Sequence, residues 1–148
     1  MSNNLSHVLR VVTCVFALAF CATAHASDQL ERIQRAVAEL KGQLAISQTV
    51  DVKIVQTNPR LFSVEPVAHA GTFLLSAEED FAQALTDAEL RAAVAHELGH
   101  VWIYTHFPYL QTEELANDIA SRAVSRDMLA PLYDKVWKKA DVTRRDDP

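Results

Sequence analysis

Apolar residues recur at helical spacing over Ser27 to Gln43, where Leu30, Ile33, Val37 and Leu40, followed by Leu44, fall on one face. Val50-Asp51-Val52-Lys53-Ile54-Val55 then alternates with period two and is rich in β-branched residues, the pattern of a half-buried strand. Asn58-Pro59 breaks it with a turn. Leu61 to Glu65 and Gly71 to Leu75 are two further strand candidates, and Pro66 argues against one continuous central strand across residues 61–69. Ser76-Ala77-Glu78-Glu79 reads as a capping box for a short helix over Ala77 to Ala84. Thr86-Asp87-Ala88-Glu89 reads as a second box, with Leu85 and Leu90 at the positions of a hydrophobic staple. The helix it opens carries Leu90, Ala93, Val94, Leu98 and Val101 and is expected to run to about Tyr104. Pro108 suits the first turn of the next helix, and Pro131 would stop that helix near Leu129. A last short helix over Leu132 to Ala140 leads to residues 141–148, a charged tail without apolar periodicity that is expected to be disordered. The order predicts an α+β fold, a small three-stranded sheet packed on helices, with no internal repeat and no second domain.

The chain has 148 residues, enough for one domain with a modest core. Residues 1–26 read as a separate secretory signal: Arg10, an apolar run from Val11 to Thr23, and Ala24-His25-Ala26 with small residues where a signal peptidase cuts. That run is too short for a membrane anchor, and bulky Phe20 disfavours a lipoprotein signal at Cys21. The expected mature domain, residues 27–140 and the tail, is therefore exported, periplasmic or secreted, with no stable membrane anchor. Both cysteines, Cys14 and Cys21, leave with the signal, so stability must come from the core and any bound metal. The mature chain keeps 13 basic against 19 acidic residues, a net charge of −6. The absence of a basic patch argues against nucleic acid and anionic membrane as partners. The oligomeric state is not legible.

His96-Glu97-Leu98-Gly99-His100 is the stretch that carries chemistry. Two histidines four apart on a helix stack on one face, so both imidazoles can reach one metal ion. Glu97 between them is placed to act as general base for metal-activated water. A catalytic zinc site needs a third protein ligand. With helices ending at Tyr104 and starting at Pro108, His100 and Glu113 come level across the pair, about 6 and 7.5 Å from the turn. Glu113 and Glu114 are both candidates. Ala116, Ile119, Ala120, Ala123 and Val124 define a buried stripe; Glu113 lies about 60° from Ala116 and Glu114 about 160°, so the wheel favours Glu113 and leaves Glu114 as the alternative. Asn117 shares the side of Glu113 and could orient a liganding histidine through its side-chain carbonyl, whereas Asp118 shares the exposed side.

Residues 85–101, Leu-Thr-Asp-Ala-Glu-Leu-Arg-Ala-Ala-Val-Ala-His-Glu-Leu-Gly-His-Val, resemble the active-site helix of gluzincin metallopeptidases, most nearly the CAAX-processing and HtpX-like heat-shock peptidases. Glu113-Glu114-Leu115-Ala116-Asn117 is similar to the E-x-x-A-N form of ImmA/IrrE-type peptidases, and Ile119-Ala120 and Met128-Leu129-Ala130-Pro131 also resemble that group. The likeness covers about residues 85–131. It implies zinc held by His96, His100 and Glu113, Glu97 as general base and acid, and an extended peptide or protein substrate along an edge strand, here near Gly71–Ser76. The transmembrane helices of the CAAX-type enzymes are absent, and the His100 to Glu113 spacing is short. Tyr104, His106, Tyr109 and Arg122 are transition-state candidates by proximity alone. The expected function is that of an exported zinc endopeptidase; the alternative is a zinc-stabilised, non-catalytic module that offers an edge strand to a partner. His69 reads as an exposed loop histidine and His106 as a helix-end cation partner. Trp102, Phe107, Tyr109 and Trp137 read as core or packing aromatics.

Overall fold

Three strands and five helices are built from residues 27–68 and 71–146, the part of the chain that the computed structural model describes. The expected signal, with Cys14 and Cys21, and His69 lie outside the described residues. Helix α1 covers residues 27–43. Strands β1 (Thr49–Val55), β2 (Phe62–Pro66) and β3 (Thr72–Glu78) follow, then helices α2 (Glu79–Ala84), α3 (Asp87–Thr105), α4 (Glu113–Ala120) and α5 (Arg126–Asp146). The fold is α+β with one small mixed sheet.

The sheet order is β1-β3-β2, with β1 parallel and β2 antiparallel to β3. Its register aligns apolar side chains on one face. Val50, Val52 and Ile54 sit beside Phe73, Leu75 and Ala77, which pair in turn with Pro66, Val64 and Phe62. This period-two face packs in the same core as Ile33, Val37 and Leu40 of α1 and Leu90, Val94, Leu98 and Val101 of α3. The fold follows from burying one sheet face and the helix stripes together.

Several boundaries differ from the sequence expectation. Ser76 caps nothing: Ala77 and Glu78 stay in β3, paired with Ile54 and Val55, and α2 begins only at Glu79 without a side-chain cap. Cross-strand pairing on both sides outweighs the local capping signal. The box at Thr86 does form, with the Thr86 hydroxyl accepting from Glu89 N and the Glu89 carboxylate accepting from Thr86 N. The helix expected from Pro108 starts at Glu113, where Thr112 accepts from Leu115 N. It ends at Ala120, and a turn at residues 121–125 separates it from α5. Pro131 therefore lies in the second turn of α5, where it costs one backbone hydrogen bond instead of ending a longer helix. Residues 141–146, expected to be disordered, continue α5; extending a helix already held by packed turns costs little. Phe107, Tyr109 and Trp137 are exposed and are not core aromatics.

α5 is fastened to both ends of α2 and to the start of α3. Leu129 and Leu132 are buried, and Lys135 Nζ reaches Glu89 Oε2 at 2.7 Å and the Ala84 carbonyl at 2.8 Å. Lys139 pairs with Glu78 at 3.4 Å.

α3 and α4 meet at Gly99. A Cβ there would lie 3.0 Å from both Cα and the carbonyl carbon of Ala116, and closer still to the carbonyl oxygen. Only a residue without a side chain permits that approach. Gly99→Ala should therefore push α4 outward and destabilise the protein by about 1–3 kcal/mol, as overpacking does, measured by urea unfolding. An unchanged midpoint would show that the two helices can slide apart at no cost.

Candidate metal centre

His96 and His100 stand one turn apart on α3, and their Nε2 atoms are 3.2 Å from each other. After α3 the chain returns through residues 109–112, which belong to no helix or strand, and Thr112 caps the start of α4. This places Glu113 at the first position of a helix, where the dipole favours an acid. Its Oε2 lies 3.0 Å from His96 Nε2 and its Oε1 3.5 Å from His100 Nε2. Among the described residues these three form a group able to hold a metal ion. Glu114 is exposed and outside it, and Asp118 pairs with Arg126 at 3.1 Å. The two helices meet as expected, although the helix-hairpin arithmetic assumed a longer α4.

The outer ring nitrogens settle which way the imidazoles face. His96 Nδ1 is 2.8 Å from Asn117 Oδ1, and His100 Nδ1 is 3.0 Å from Gln111 Oε1. Gln111 is held the right way round because its amide nitrogen donates to the His100 carbonyl at 3.1 Å. Each Nδ1–H thus donates to an amide oxygen, which leaves the Nε2 lone pairs facing inward. Burial also holds the His96 imidazole below its ordinary pKa, against the hydrogen bond to Asn117. Two lone pairs and a carboxylate then converge with no donor between them. Donors of a tetrahedral ion with bonds of about 2.0–2.1 Å sit about 3.3–3.4 Å apart; the two Nε2 atoms are 3.2 Å apart, and one ligand atom from each of the three residues lies within 4.8 Å of the others. The residues fit a metal.

Glu97 is 7% exposed although it borders a cavity of about 720 Å³. Burial, reinforced by the negative charge of Glu113, pushes its carboxyl up to about 7. The charge of Arg60 and a hydrogen bond from the Val64 N–H pull the other way. Arg60 is set by a tight turn: Asn58 Oδ1 accepts from its N–H at 3.1 Å, and Asn58 Nδ2 reaches Ser63 Oγ and the Ser76 carbonyl, both at 3.0 Å.

The strand beside this cavity is β2. The expected edge, Gly71–Ser76, belongs to β3, which is the central strand and has no free side. The parallel pairing of β1 with β3, a non-local contact, overturned that placement. Of the four transition-state candidates only Tyr104 lines the cavity. The other three gather at Trp102: His106 stacks on it at 3.8 Å, Tyr109 lies 5.5 Å away and the Arg122 guanidinium lies over its ring at 5.1 Å. His106 also bonds the Trp102 carbonyl through Nδ1 at 2.7 Å, in keeping with a helix-end role.

Three residues escaped sequence reasoning: Gln111, Arg60 and Tyr133, all of which line the cavity. Gln111 lies in a segment expected to be helical, and the other two are distant in sequence from the histidines. No local pattern marks them.

No protein-family model matches the chain, and no curated protein matches it in sequence. A solved structure similar to it is that of the metallopeptidase zymogen of Pyrococcus abyssi abylysin, with a TM-score of 0.54 and 16% sequence identity. The match covers 74% of this chain and 95% of that one. At that identity the likeness is one of fold.

A testable consequence follows from Glu97. Its folded pKa, about 7, stands above the ordinary 4.5, so between these values the folded chain binds more protons than the unfolded one. Stability must then fall as pH rises through that window, by at most about 3 kcal/mol. His96, with a lowered pKa, acts in the opposite sense below about 6.5. Chelator-treated wild type should therefore lose stability relative to Glu97→Gln between pH 4.5 and 7.5 in urea unfolding. Parallel pH profiles would contradict the burial of an ionisable Glu97.

Proposed function

We propose that this chain is an exported zinc metallopeptidase that hydrolyses peptide bonds in extended substrates. The observation that carries this is the inward convergence of His96 Nε2, His100 Nε2 and the Glu113 carboxylate beside a buried acid on the same helix. An N/N/O donor set whose ligand atoms lie within 4.8 Å of one another suits zinc, and three protein ligands leave one position open. Zinc held there would supply a Lewis acid that polarises a carbonyl and makes water acidic near neutral pH.

The chain's own residues do the rest. Glu97, with a pKa near neutrality in the metal-free site, is suited to take a proton during attack and return it to the departing amine. Its burial limits competition from bulk water. β2 is the edge strand on the cavity side, so its backbone is the natural rail for an extended peptide. The fold likeness to a metallopeptidase zymogen supports the same reading. A purely structural site would have no use for Glu97 and would be closed by a fourth protein ligand; among the described residues only three converge. Export rests on the signal-like residues 1–26, and among the described residues no helix is long and apolar enough to cross a membrane.

Glu97→Gln separates binding from chemistry. The variant should keep one zinc per chain by metal analysis while hydrolysis of a peptide library falls at least about 100-fold. Undiminished hydrolysis would sink the assignment of Glu97, and a wild type that binds no zinc would sink the reading as a whole.

A further inference from the structure

Asn117 differs from a carboxylate in one respect that matters to His96. A carboxylate offers an oxygen in either orientation about its last bond, whereas a carboxamide offers an oxygen in only one of two. If the amide were reversed, its NH₂ would face His96 Nδ1. That nitrogen would then have to accept, the ring proton would move to Nε2, and the lone pair needed at the centre would be lost. Something must choose the orientation.

Tyr133 is placed to do so. It lies on α5, one residue past buried Leu132 and two before Lys135, whose bond to Glu89 ties that turn to α3. Its hydroxyl is 2.5 Å from Asn117 Oδ1 and 3.5 Å from His96 Nδ1. A separation of 2.5 Å belongs to the O–H···O range and is too short for an amide N–H donor. The hydroxyl thus donates to the same oxygen that accepts from His96 Nδ1–H at 2.8 Å. Having spent its proton on Asn117, Tyr133 has none to offer a substrate oxygen, although it borders the cavity.

We propose that Tyr133 is a positioning residue for the metal centre: its hydroxyl locks the Asn117 amide with the oxygen toward His96, and so keeps His96 Nε2 open to the ion. This rests on the reading of His96 as a metal ligand. The residue acts on the centre through two hydrogen bonds in series, Tyr133 to Asn117 and Asn117 to His96.

The decisive comparison uses four full-length proteins: wild type, Tyr133→Phe, Asn117→Asp and the double variant. Zinc affinity is measured by chelator competition. Tyr133→Phe should weaken zinc binding about 10-fold in the wild-type background, the lower end of what lost outer-shell partners cost. With Asn117→Asp the carboxylate needs no orienting, so the same change should cost less than about 2-fold. Equal losses in both backgrounds would mean that Tyr133 merely packs, and would overturn the proposal. A second readout needs no metal. Nitrogen NMR of His96 in chelator-treated protein should show the Nδ1–H tautomer in wild type and a growing Nε2–H population in Tyr133→Phe. An unaltered tautomer in that variant would overturn the proposal too. A wild type that ignores zinc would instead defeat the metallopeptidase reading, and the tautomer would still decide the role of Tyr133.

Discussion

The contact of Gly99 with the backbone of Ala116 is the constraint on which the site depends. It sets how near α4 can come to α3, and that separation decides whether a carboxylate at the first position of α4 reaches two imidazoles on α3. A side chain at position 99 would hold the helices apart, and Glu113 would become one more solvated acid at a helix start. The glycine inside the histidine motif is thus a packing residue with a chemical consequence. Its neighbours Leu98 and Val101, buried in the core, hold α3 against the sheet while α4 closes from the other side.

Around that contact the protein arranges acceptors without donors. Both imidazoles have their outer N–H engaged by amide oxygens, one from the segment that returns from α3 and one from α4 itself. The resulting knot of lone pairs and negative charge is unfavourable alone and favourable around a cation. Glu97 shares the strain: it is buried, close to the negative charge of Glu113, and eased by Arg60 and one backbone N–H of β2. The histidine–glutamate cluster and the raised Glu97 carboxyl express the same electrostatic imbalance.

Much of the fold was legible because local patterns and tertiary packing agree. The period-two run at Val50–Val55, the capping box at Thr86 and the apolar stripe of α3 all appear as read. Glu113 could be chosen over Glu114 because α4 buries Ala116, Ile119 and Ala120, so the wheel kept its meaning although the helix starts five residues later than expected. Errors arose where a local signal competed with a distant one. Ser76 lost its capping role to cross-strand pairing, and Pro131 was read as a stop for a helix that had already ended.

Residues that recur every turn of a helix can be read from the chain, and on that basis His96, His100, the acid between them and Glu113 were expected to share one site, as their clustering shows. Which strand lies at the edge, how dry Glu97 is, and which side chains orient the histidines belong to another class of fact. β2 reaches the cavity because β3 pairs with β1 across some twenty residues of intervening chain. Tyr133 reaches Asn117 because α5 is pinned to α3 from the far side. Such contacts join residues with no periodic relation, and they come into being only when burying the shared apolar face brings distant elements together.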